Sequence, residues 1–275
     1  MARLYAILGA VLAILEGGGM NTRKGFIRDG FGIAAILAAQ SAPAILVRSM
    51  VAARGSFFGR GAGGGGWVNP YVTDGLVAMW DGEWNAGWGL HDPNATTWKD
   101  IISGYDLDVT SGTWGDKGLV GTSTNACNAT MTTVPQSFID IISSDGCTVE
   151  AVATPLGYGT NIYSFSSSIW SIYGWGNSVI WYWFRIQSGP FNISNKGVIG
   201  EPISFSGTTD SNKRARWYCN AQQLGSGTYG SQTANNDVFL GIKGIIHTAR
   251  IYNRTLSDAE IAANYAIDKE RFNLA

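Results

Sequence analysis

Between Tyr163 and Phe184 the chain carries nine aromatic residues, and the run Ile180-Trp181-Tyr182-Trp183-Phe184-Arg185-Ile186 spaces them with the two-residue period of a β-strand. Written as a strand, it puts Ile180, Tyr182, Phe184 and Ile186 on one face and Trp181, Trp183 and Arg185 on the other. One face must be core. The other sets two tryptophans beside a guanidinium, an arrangement suited to stacking on the apolar faces of sugar rings while polar neighbours bond to hydroxyls. Residues Ile169 to Trp175 are predicted as the hairpin partner through a turn at Gly176 to Ser178, which adds Trp175 to the candidate ligand-binding residues Trp181, Trp183 and Arg185. The competing reading buries both faces, one against a second sheet and the other against an N-terminal arm or a neighbouring subunit. Exposed tryptophan pairs mark an interface of some kind in either case.

Hydrolytic chemistry finds less material. Glycoside hydrolysis uses two carboxylates flanking the scissile bond, whereas the glutamates between Trp67 and Asn253 are Glu83, Glu150 and Glu201. Glu150 stands alone on its expected strand, which suits a structural role, and Asp140 and Asp145 lie in a loop-like ISSDG context. His91-Asp92 and His247 come with no G-x-S-x-G nucleophile turn, and Asp92 is expected to turn the backbone ahead of Pro93. The expectation is a protein that is not an enzyme.

The elements that must position the aromatic cluster follow from composition. The chain has 275 residues, 45% hydrophobic and only 14% charged, with 37 glycines and eleven each of Trp, Tyr and Phe. That mixture favours many short strands joined by tight turns. Net charge is −1 but uneven: residues 1–66 hold seven Lys/Arg against Glu16 and Asp29, and the remainder is acidic, so the larger part offers no phosphate-tracking surface and no nucleic-acid partner is expected. Cys127, Cys147 and Cys219 form no disulfide framework and no C-x-x-C zinc pair; buried thiols are the expectation, ahead of a Cys127–Cys147 bridge. The sequons at Asn94, Asn128, Asn192 and Asn253 are coincidental in a bacterial setting.

That setting is suggested by the N-terminal region. Glu16-Gly17-Gly18-Gly19 precedes Met20 with codons able to spell a ribosome-binding tract, so Met1 to Gly19 is read as an untranslated upstream frame, with a short apolar helix over Leu4 to Leu15 as the alternative. Residues 20–58 form a basic, apolar arm. Its run from Phe31 to Val47 fits a signal peptide, a weak membrane anchor, or a pair of helices broken at Pro43 for self-association or attachment to a larger particle. A Gly-rich linker, 59–66, separates it from residues 67–275.

Residues Leu256 to Ala275 carry a capping-box signature, with Ser257 and Glu260 at the helix start and Leu256 placed to staple to Ile261. The whole run Gly244 to Asp268 resembles the end of laminin-G-like, concanavalin A-like domains, in which I-x-x-x-R-I-Y-N-R-x-L-S-x-x-E-I closes the sandwich. Asp74 to Asp81 resembles the first strand of such domains, with Asn85, Gly87, His91 and Asp92 as the turn after it. Thr97-Trp98-Lys99-Asp100 resembles their TWKD step, Phe138 to Ala153 their central strand with Thr148 to Val152 at its heart, and Trp217 to Ala221 their LYVNG hairpin. Ala221 replaces the usual glycine there, which suggests a different turn type. The resemblance implies an all-β, two-sheet antiparallel jelly-roll sandwich with a short C-terminal helix, to which the residues of the N-terminal region add a helical arm. It also implies calcium bound at the rim, for which Asp81, Glu83, Asn85 and Asp92 supply oxygens, although their spacing matches no defined calcium loop. The function expected is non-catalytic binding of a glycan or surface glycoconjugate, extracellular, on a cell surface or on a virion. A structural or decoration protein of a virion or fibre is the alternative, and a glycoside hydrolase the remote one.

Overall fold

The computed structural model describes residues 69–157, 160–165, 170–175, 180–186, 189–229 and 238–275; over 160–197 it is the backbone of the strands that is described. The upstream frame, the arm with its apolar run 31–47, the Gly-rich linker and the predicted turn at Gly176 to Ser178 lie outside the described residues. Among the described residues no helix is long and apolar enough to cross a membrane.

Along the chain the first strands are β1 (Leu76–Asp81), β2 (Thr97–Trp98), β3 (Leu107–Ser111), β4 (Thr113–Gly115), β5 (Gly118–Val120) and β6 (Cys127–Met131). Helix α1 (Gln136–Ile142) leads to β7 (Thr148–Pro155), β8 (Thr160–Phe165), β9 (Trp170–Trp175), β10 (Ile180–Ile186) and β11 (Gly189–Gly197). Then follow β12 (Ile203–Thr209), β13 (Arg214–Cys219), β14 (Gln222–Thr228), β15 (Val238–Ile242), β16 (Gly244–Tyr252) and helix α2 (Asp258–Phe272).

These strands form an all-β, two-sheet antiparallel sandwich. The first sheet runs β14-β13-β12-β7-β16-β5-β4, with β1 also paired to β16, and the second runs β11-β10-β9-β8-β15-β6-β3-β2. Alternation decides which residues lie between the sheets. In β6 (CNATM) Cys127, Ala129 and Met131 are buried while Asn128 and Thr130 are half-buried on the other side. They meet Leu107, Leu240 and Ile242 of their own sheet and Ala78, Trp80, Val149, Ala151, Phe205, Trp217 and Ile251 of the first sheet in one core. Cys127, Cys147 and Cys219 are buried, and burial pushes the Cys127 pKa up to about 11, so they pack as small hydrophobes.

The predicted capping box is present: Ser257 Oγ accepts from the Glu260 N–H and Glu260 Oε2 accepts from the Ser257 N–H. The TWKD step gains a physical role, because Asp100 accepts from the backbone N–H groups of Met79, Ile102, Ser103 and Tyr105 and so fixes the chain beside β1. Two expectations need correction. The stretch read as one strand from Phe138 to Ala153 begins with helix α1, whose Phe138, Ile139 and Ile142 are buried at helical spacing, and β7 starts only at Thr148; Asp140 is accordingly helical. The hairpin turn at Asn220-Ala221 keeps positive φ at both residues, 48° and 60°, so alanine occupies the left-handed position of an ordinary two-residue turn.

Candidate functional site

A sandwich has two outer faces, and here they differ. The centre of the first sheet's outer face is covered by α2, while its edge at β13 and β14 is exposed at Arg214, Ser226 and Thr228. Strand β7 is buried along its whole length because α2 covers its back, with Val152 packed against Phe272 and Leu274. Beneath α2 runs a network of buried charges. Arg250 of β16 donates to Glu150 of β7 at 2.9 Å and forks onto both carboxylate oxygens of Asp268 in α2. Asn264 donates to Glu150 at 2.8 Å, and the Tyr71 hydroxyl donates to Asp268 at 2.7 Å while its ring lies 4.0 Å under the Arg250 guanidinium. Burial works against the Arg250 charge, but Asp268 and Glu150 outweigh it and hold its pKa well above the ordinary value. Glu150 therefore has the structural role expected for it.

The four residues proposed to supply oxygens to calcium are already engaged. Arg271 of α2 donates to Asp81 Oδ2 at 2.6 Å and Oδ1 at 2.9 Å, and to Glu83 Oε2 at 2.7 Å. Asn85 exchanges both its amide groups with the backbone of Asp92, at 2.8 Å each, and Asp92 Oδ1 accepts from the Asn94 N–H in the predicted Asx turn. A guanidinium thus stands between the two carboxylates that a calcium ion would need. Among the described residues no group of three or more His, Cys, Asp or Glu side chains is arranged for a metal. The arrangement does not fit calcium.

The outer face of the second sheet can be traced by register from strand to strand. Thr97 pairs with Asp108, Asp108 with Thr130, Thr130 with Phe239, Phe239 with Ser164, Ser164 with Ser171, Ser171 with Arg185, and Arg185 with Pro190. Directly paired residues share a face, and residues two apart along a strand return to it. Asp108 is exposed and Thr130 and Phe239 are half-buried, while their strand neighbours Leu107, Ala129, Val238 and Leu240 are in the core. The row is therefore the one facing away from the core. Position 185 carries positions 183 and 181 with it, and the pairings Trp183 with Tyr173 and Trp181 with Trp175 bring two further aromatic positions to the same face. The side chains of Trp175, Trp181, Trp183 and Arg185 themselves lie outside the described residues.

Further along this face, a depression of about 340 Å³ is lined by Thr110, Asn128, Thr130, Met131, Val238 and Phe239. Thr110 Oγ1 donates to the Asn128 carbonyl at 3.3 Å, and Asn128 Nδ2 donates to Ser111 Oγ at 3.0 Å. Sequence reading missed these residues as a group. Each strand shows the alternation, in CNATM and in VFLGI, but only the pairing of Phe239 with Thr130 joins them.

The chain is similar to several solved structures. A mutant of Trypanosoma rangeli sialidase displaying trans-sialidase activity is similar with a TM-score of 0.54 and 14% identity, over 73% of this chain and 34% of that one. Trypanosoma rangeli sialidase in complex with 2,3-difluorosialic acid gives 0.53 and 14%, over 75% and 35%. The binding domain of botulinum neurotoxin DC in complex with rat synaptotagmin II gives 0.46 and 13%, over 70% and 51%. No family model matches the chain, and no curated relative does. The chain spans about a third of the length of the sialidases it matches, and what that likeness carries is the β-sandwich fold.

Proposed function

We propose that the outer face of the second sheet binds glycan chains without cleaving them, in a sandwich of laminin-G-like, concanavalin A-like type. The observation that carries this reading is the register that joins positions 175, 181, 183 and 185 to the row through Thr130 and Phe239, on the face away from the core. Three tryptophans, a tyrosine and an arginine at adjacent positions suit a sugar ring, which has an apolar face and a rim of hydroxyls. Against hydrolysis stands the scarcity of carboxylates: among the eight strands of this sheet Asp108 is the one acidic residue, so the paired groups of a usual glycosidase mechanism are lacking on the strands. A sialidase holding 2,3-difluorosialic acid shares the fold; that sugar is the sialidase's own, and it agrees with sugar recognition here without assigning a ligand. The basic arm of residues 20–58 and the linker 59–66 would attach the sandwich to a cell surface or particle and present this face.

The test is a broad glycan array probed with the full chain and with the Trp181→Ala/Trp183→Ala variant. Saturable binding that the double substitution abolishes supports the reading. Silence across the array, together with self-assembly that the same variant loses, would assign the face to packing between copies.

A further inference from the structure

We infer that the depression lined by Thr110, Asn128, Thr130 and Phe239 is a second sugar-ring subsite, so that the ligand is an oligosaccharide lying across the strands. This rests on the glycan reading above and adds to it the size of the ligand, its direction on the sheet and the character of one of its rings.

Four observations lead there. The depression, at about 340 Å³, lies at the small end of the volumes that bind small molecules and suits one ring with its substituents. Its lining combines one aromatic ring, half-buried Phe239, with the hydroxyls of Thr110 and Thr130 and the amide of Asn128, which is the combination that a pyranose needs. The Thr130 hydroxyl has no hydrogen-bond partner among the described residues, and a hydroxyl both donates to and accepts from a sugar hydroxyl. Finally, Gly241 leaves room for the Asn128 amide: a Cβ there would lie 2.2 Å from Asn128 Oδ1.

Geometry then sets the length. Phe239 and Arg185 belong to one cross-strand row, separated by β8 and β9, and three strand spacings amount to about 14 Å. A single sugar cannot touch both ends. A chain of sugars running perpendicular to the strands can, with one ring on Phe239 and later rings at the tryptophan positions. The lining of the depression carries no charge, and the neighbouring carboxylate of Asp108 accepts from the Thr132 hydroxyl, so the ring bound there is a neutral hexose or N-acetylhexosamine.

The experiment measures binding of the full chain to cello-, chito- and manno-oligosaccharides, each from monosaccharide to hexasaccharide. Affinity in one series is expected to rise at least tenfold with length and then level off. Phe239→Ala is expected to remove about tenfold from the long ligands and nothing from the short ones. Thr130→Val, which deletes the hydroxyl without changing shape and so leaves folding intact, should cut the long-ligand affinity three- to tenfold. Gly241→Ala, by displacing the Asn128 amide, should act in the same direction. If the longest ligands bind no better than the shortest, or if Trp181→Ala/Trp183→Ala abolishes binding while Phe239→Ala and Thr130→Val leave the length dependence untouched, the second subsite is wrong and the glycan reading stands. If no oligosaccharide in any series binds while the array shows a glycan that does, the neutral-ring subsite is wrong and the glycan reading stands; silence in both overturns both.

Discussion

Arg271 in the last turn of α2 donates to both carboxylate oxygens of Asp81 at the end of β1, at 2.6 and 2.9 Å, across 190 residues of chain. Both side chains are almost completely removed from solvent. Breaking a buried pair leaves the partner charge uncompensated, which costs about 3 to 5 kcal/mol. Arg271→Ala is therefore expected to lower the unfolding free energy by that amount in urea titrations. A loss under 1 kcal/mol would mean that the pair does not hold α2 to the sheet.

Because this guanidinium already occupies the place between Asp81 and Glu83, the thermal midpoint of the protein is expected to be the same in calcium and in chelator. A midpoint that rises with calcium concentration would show a site that these side chains do not supply.

Local signals in the sequence survive in the fold, and long-range ones could not have been read from it. Ser257 and Glu260 are three residues apart, so their reciprocal cap is visible as a pattern. Arg250 and Glu150 lie 100 residues apart and Arg271 and Asp81 190, and nothing local in either segment announces the partner. The segment 136–142 was open to misreading because Phe138, Ile139, Ile141 and Ile142 form a short apolar run, which a buried strand and a short helix share. The alternation of Trp181, Trp183 and Arg185 was legible, but which side of the sheet it belongs to required the pairings through β9, β8 and β15. The depression was invisible for the same reason, since its residues come from three strands.

The turn at Asn220-Ala221 offers a substitution that should stabilise. Ala221 has φ 60°, a conformation that costs an L-residue about 1 to 2 kcal/mol and glycine nothing. Glycine loses more freedom on folding, which offsets part of the gain. Ala221→Gly is expected to raise stability by about 0.5 to 1 kcal/mol, read from the denaturant midpoint at unchanged slope. A lower midpoint would mean that the alanine methyl packs favourably.

His247 should give the protein an acid-side weakness. The ring is buried, its Nδ1 hydrogen-bonded to the Lys117 carbonyl and its Nε2 to Thr154 Oγ1, and it stacks on Phe272 of α2. Burial lowers its pKa below the ordinary 6.5; the bond to the Lys117 carbonyl and the charge of Asp81 act against that shift, while the charges of Lys117 and Arg271 add to it. As pH falls below 6.5 the unfolded chain takes up a proton that the folded one resists, so stability falls from there down through the folded pKa. His247→Gln should flatten that part of the stability–pH curve relative to the parent. Parallel curves for the two proteins between pH 7 and 5 would contradict the assignment.

The central claim is that one outer face of the sandwich, and not the other, recognises glycans. Its most direct test is quantitative binding of a glycan found on the array to three forms of the full chain: the parent, Trp181→Ala/Trp183→Ala on the second sheet, and Lys269→Ala/Glu270→Ala on the exposed side of α2 over the first sheet. The tryptophan variant is expected to lose binding at least tenfold with its thermal midpoint unchanged, while the α2 variant binds as the parent does. Equal binding by the tryptophan variant and the parent, or loss in the α2 variant alone, would contradict it.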